Sequence, residues 1–113
     1  MTTREMASDI KVTPALNHAS ITTNTTTNGV WIDTAGFGSL TFSIQSATIT
    51  DGTFTPLIED ADEANQSDAA AVADDFLSVT EASIAFVAAD DNKTKKIAYV
   101  GSKRYVRCSL VST

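Results

Sequence analysis

"SLTFSIQSATITDGTFTPLIED", Ser39 to Asp60, decides the fold. Leu40, Phe42 and Ile44 alternate with Thr41, Ser43 and Gln45, and a period of two places one set on a buried face and the other in water, as in a β-strand. A helix would need its apolar residues three and four apart. Asp51-Gly52, between Ile49 and Phe54, predicts a tight hairpin turn, because aspartate and glycine tolerate the positive φ that such turns require. Pro56 has no backbone donor, so the strand after that turn is predicted to lie at a sheet edge or a bulge.

The same reading extends in both directions. Upstream, "NGVWID" predicts a turn at Asn28-Gly29 that feeds a strand through Val30 and Ile32, with Trp31 flanked by apolar neighbours as a core residue. Before it, "SITTNTTTNG" is rich in threonine, which suits extended chain or loop better than helix. Downstream, "SIAFVA", "KKIAYVG" and "KRYVRCSLVS" predict three more strands, the last two joined by a hairpin at Gly101-Ser102. The one helical candidate is "SDAAAVADDFLSV", where Ser67 or Asp68 can cap a run favoured by alanine. About six to eight short strands with little helix predict an all-β protein: a single-domain antiparallel β-sandwich or partly closed barrel with at most one short helix.

A length of 113 residues with 42% hydrophobic content suits one domain that buries a modest core. That domain is expected over residues 13–113, with "MTTREMASDIKV", residues 1–12, as a flexible polar arm. The opening residues lack the apolar run of a signal peptide, and no segment approaches the roughly 18 apolar residues of a membrane span, so a soluble protein with no membrane partner is expected. Cys108 is the only cysteine, which precludes an intramolecular disulfide and a zinc site built on thiols. In "YVRCSLV" it shares a strand face with Val106 and Leu110 and reads as a small buried hydrophobe.

Reactive chemistry is sparse. His18 is the only histidine, so a two-histidine metal site cannot form and a catalytic triad would rest on this residue alone. Its context, "ALNHAS", has no nucleophile elbow and reads as a surface or turn position. Glu59, Asp60, Asp62, Glu63 and Asp68 are hard oxygen donors, yet a calcium loop starting at Asp60 would have Asn65 where glycine is needed and Ala71 where glutamate is needed. A solvated acidic loop is the expectation. No phosphate-binding glycine loop, dinucleotide fingerprint or metalloprotease helix motif occurs. The sequence predicts no catalytic residue, no cofactor and no metal, and hence a protein that is not an enzyme.

Charge is distributed unevenly. Eleven of the fourteen acids lie between Asp51 and Asp91, whereas six of the eight bases lie from Lys93 onward. A net charge of -6 opposes direct nucleic-acid binding. The expectation is that the basic C-terminal strand meets the acidic middle, within one protomer or across a subunit contact. Lys103, Arg104, Arg107, Glu59, Asp60 and Asp62 are therefore the candidate subunit or partner contacts.

Taken together, "VWIDTAGFGSLTFSIQSATITDGTFTPLIEDAD" and "IAYVGSKRYVRCSLV" resemble a group of small virion proteins encoded among the head genes of tailed bacteriophages. Their shared pattern falls here on Asp9 to Asn17, Asp33 to Phe37, Asp51 to Pro56, Glu59 to Asp62 and Tyr99 to Arg107. The resemblance implies a non-enzymatic capsid decoration or cement protein. It would bind the major capsid protein on the outer surface of an HK97-type head, where capsomers meet, after assembly in the host cytoplasm. It also implies a homo-oligomer, often a trimer. The alternatives are a head-to-tail connector or tail component, and a carbohydrate-binding β-sandwich module.

Overall fold

The structure is a computed structural model, and it describes residues 7–17 and 20–113. Seven strands occur among these residues: β1 (Thr26–Thr27), β2 (Ile32–Asp33), β3 (Leu40–Gln45), β4 (Phe54–Ala61), β5 (Ala70–Ala71), β6 (Thr94–Tyr99) and β7 (Tyr105–Ser112). All pairings are antiparallel. In sheet A, β7 is flanked by β4 on one side and by both β1 and β2 on the other, and β5 lies outside β4. Sheet B consists of β3 and β6. The protein is thus all-β, as its alternating sequence predicts.

The two sheets share a core. Ile58, Val106 and Cys108 from sheet A face Phe42, Ile97 and Tyr99 from sheet B, with Val72, Leu77 and Ile84 filling the side between them. Alternation explains the choice: Phe42 is buried between exposed Thr41 and Ser43, and Ile97 is buried beside exposed Lys96. Ile58, Ile97 and Val106 are completely enclosed.

Residues 70–78 join the sheets along one side. The chain first pairs with β4, Asp60 opposite Ala70 and Glu59 opposite Ala71. It then crosses to β6, where Leu77 bridges Tyr99, the Ser78 amide donates to Ala98 O and the Val100 amide donates to Phe76 O. The hydrogen-bonded order therefore runs continuously from β7 through β4, residues 70–78 and β6 to β3, which makes a partly closed barrel. The predicted helix over this stretch does not form. Residues 70–71 are strand and Asp74–Phe76 is a single 3₁₀ turn, because the pairing on both sheets outweighs the helical preference of alanine. "SIAFVA" is likewise no strand. Glu81–Ile84 is a 3₁₀ turn, and Phe86 then makes one bridge to Phe54.

Three turn expectations also change. Asp51-Gly52 does turn, with Gly52 at φ 88° and its amide held by the Asp51 carboxylate at 2.8 Å. It carries the chain from sheet B to sheet A, however, so β3 and β4 are not hairpin partners. Gly101-Ser102 likewise connects β6 in sheet B to β7 in sheet A. Asn28-Gly29 is a bulge and not a turn. Thr27 lies opposite Leu110 and Ile32 opposite Val106, so residues 28–31 run past residues 107–109 with one residue to spare.

Pro56 lies within β4, opposite Leu110. Its neighbours Phe54 and Ile58 direct their amides away from β7, to Phe86 O and to the Glu81 carboxylate. The donor that proline lacks is therefore one β7 would not use; β4 is nevertheless an interior strand of sheet A, between β7 and β5, and not the edge strand expected, and Pro56 is itself buried. At the N-terminal side, the Val30 amide donates to Ala15 O, and Lys11 Nζ sits 6.0 Å from the Phe37 ring centre. Residues 1–6 of the expected arm, and His18, lie outside the described residues.

Candidate interaction surface

The six charged residues singled out in the sequence come together along β4, β7 and the loop before β7, and each has a partner inside the chain. Glu59 and Arg107 are directly opposite on β4 and β7. The guanidinium gives the Glu59 carboxylate two hydrogen bonds, at 2.7 and 3.1 Å, with both side chains 19% exposed. That guanidinium also sits over the Trp31 ring, 4.6 Å from its centre. Trp31 is accordingly half-buried under a cation on the outer face of sheet A, and not in the core as its neighbours suggested. Alternation requires this: Ile32 faces inward beside Val106, so Trp31 faces outward beside Arg107.

Arg104 forks onto Asp33, with Nε and Nη2 each 2.9 Å from a carboxylate oxygen. Hydrogen bonding from Arg104, supported by the Ala35 amide, lowers the Asp33 carboxyl to about 2. The same contact raises the pKa of Arg104. Lys103 Nζ is 3.8 Å from Asp62 and 4.0 Å from Asp68. Asp60 accepts the Tyr99 hydroxyl at 2.8 Å, and that hydroxyl in turn accepts the Lys103 amide at 3.0 Å. Burial is the main cause that raises Tyr99, to about 12, with the Asp60 carboxylate adding to it. The phenol therefore stays protonated and acts as a strut between sheet B and the end of β4.

The acidic loop after β4 is organised from within. The Asp68 carboxylate accepts the Asp62 and Glu63 amides at 3.0 and 3.1 Å, which lowers its pKa. Asn65 accepts the Ser67 amide, and Gln66 takes a left-handed conformation at φ 55°. Its acids are thus acceptors for the loop backbone and for Lys103. No group of three or more His, Cys, Asp or Glu side chains among the described residues could hold a metal ion. Cys108 is buried as expected, and burial pushes its thiol up to about 12, far from the range in which a thiolate reacts. Two surface depressions, of about 240 Å³ beside Pro14 and Gly29 and about 210 Å³ beside Thr34 and Tyr99, are smaller than most ligand clefts.

Asp33 and Tyr99 are members of this seam that charge distribution did not reveal. Asp33 lies in "IDTAGF" and Tyr99 in "YVGSKRYVR", where neither composition nor charge marks them as partners. Among the described residues no helix is long and apolar enough to cross a membrane. The chain matches no protein-family model, no curated protein and no solved structure.

Proposed function

We propose that the protein is a non-enzymatic virion structural protein, a decoration or cement protein on the outer surface of a tailed-phage head, with the major capsid protein as its partner. The observation that carries this reading is that the segments resembling such proteins are the ones that lock onto one another. Asp33 holds Arg104, Glu59 holds Arg107, and Asp60 holds Tyr99. Contacts of this kind hold the segments in one fixed shape, which supports a structural role. A protein that must fit the junction between capsomers requires that property.

The carbohydrate-binding alternative needs an open aromatic face for sugar stacking, and the face of Trp31 is occupied by Arg107. A connector or tail component would use the same rigidity at far lower copy number. Quantitative gel staining of virions purified from the genome that encodes this chain tests the proposal. A copy number comparable to that of the capsid protein is the expected result. A dozen or so copies per particle would move the protein to the connector, and absence from the particle would overturn the virion reading.

A further inference from the structure

We propose that β3 pairs edge to edge with β3 of a second copy of this chain, antiparallel about a two-fold axis at Ser43, so that two copies of sheet B join into one four-stranded sheet. The reason lies in how the sheet edges are treated. The β1–β2 edge of sheet A is bent by the bulge at residues 28–31 and covered in part by the chain at Ala15. The opposite edge carries residues 70–78, which also hold the outer edge of β6 at Ala98 and Val100, while the exposed Lys96 guards the rest of that edge. Among the described residues no hydrogen bond reaches the outer edge of β3.

The free groups on that edge follow from the hydrogen bonds on either side of it. Ser46 donates its amide to Lys93 O, so Leu40, Phe42 and Ile44 bond toward β6. Ala98, opposite Thr41, gives its amide to Ser78 Oγ and accepts the Ser78 amide, facing away from β3. Both observations direct the amides and carbonyls of Thr41, Ser43 and Gln45 outward, and no hydrogen bond among the described residues reaches them. Edge strands in natural proteins are usually protected by lysine, proline, a bulge or an inward charge. "LTFSIQ" has none of these.

The edge is also self-complementary. Two-fold pairing sets Thr41 against Gln45 of the second copy and Ser43 against its own counterpart, all neutral and all able to hydrogen-bond. The nearest like charges are the two Lys96 side chains, one strand further out on each side. Three strand spacings separate them by roughly 14 Å, beyond the screening length of about 8 Å at physiological salt. An edge contact buries little area, so the dimer is expected to be weak and concentration-dependent.

Sedimentation equilibrium of the intact chain tests this independently of any virion. The expected mass rises from 11.9 kDa toward twice that value as concentration reaches roughly 100 µM and above. Ser43→Pro removes the outward donor without touching the bonds to β6 and is expected to hold the protein at monomer mass, with circular dichroism reporting an intact fold. Should that variant unfold, Ser43→Cys gives the second reading. Opposed Cα atoms about 5.5 Å apart lie within disulfide range, so mild oxidation is expected to yield a covalent dimer, whereas Ser102→Cys on the exposed connection is not. A wild-type chain that stays monomeric to about 1 mM, a trimer, or equal cross-linking of both cysteine variants would overturn the proposal. The virion reading would survive any of these outcomes.

Discussion

Gly29 is where the chain has no room for a side chain. A Cβ there would lie 2.1 Å from Cys108 O and 2.6 Å from Ala15 O, because the bulge brings the backbone onto β7 while Ala15 crosses above it. Gly29→Ala is expected to destabilise the protein by more than about 2 kcal/mol, read from the midpoint of urea unfolding. A second position concerns pH. Glu81 is half-buried and accepts the Ile58 amide at 2.5 Å. Burial raises its pKa, the Ile58 amide opposes the rise, and the charges of Asp74 and Glu59 add to it. The folded state therefore holds this proton more tightly than the unfolded state, and stability falls as pH rises past the ordinary glutamate value through the raised one. Glu81→Gln keeps an acceptor for Ile58 and removes the charge. Thermal unfolding should show the variant more stable at pH 7 by less than about 1 kcal/mol, with the difference closing below about pH 4. Neither residue could be singled out from sequence: Asn-Gly reads as a turn, and one acid among many carries no mark of burial.

The corner formed by residues 70–78 is the element that turns two sheets into one partly closed barrel. Its grip on β6 depends on Ser78, whose Oγ accepts the Ala98 amide at 2.9 Å. Ser78→Ala should cost about 1 kcal/mol and speed amide exchange at Ala98 more than at Ile97, which bonds on the β3 side. Unchanged exchange at Ala98 would mean that the corner is held by packing alone. The elements themselves were legible wherever alternation was strong. β3, β6 and β7 lie where "SLTFSIQS", "KKIAYVG" and "KRYVRCSLVS" place them, since a period of two records which face is wet. Strand partners were not legible. Asp51-Gly52 and Gly101-Ser102 have the composition of hairpin turns, but a turn fixes only the local backbone, and the apolar face of the following strand determines which sheet it joins. The corner itself was hidden because "AAAVADDF" has high helical preference and its strand character comes from two neighbours distant in sequence.

For the whole molecule, the uneven charge distribution resolves within one chain. The basic end and the acidic middle are opposite edges of the same seam, so Lys103, Arg104, Arg107, Glu59, Asp60 and Asp62 stabilise the protomer whatever else they contact. The seam depends on β7, and so does most of sheet A: Thr26 pairs with Val111, Ile32 with Val106 and Phe54 with Ser112. This arrangement imposes an order on biosynthesis. A ribosome delivers β1, β2 and β4 before the strand that all three need, and while they wait their open edges are available to chaperones or to nascent neighbours on the same message. Sheet A therefore cannot complete its pairing until Tyr105–Ser112 is available.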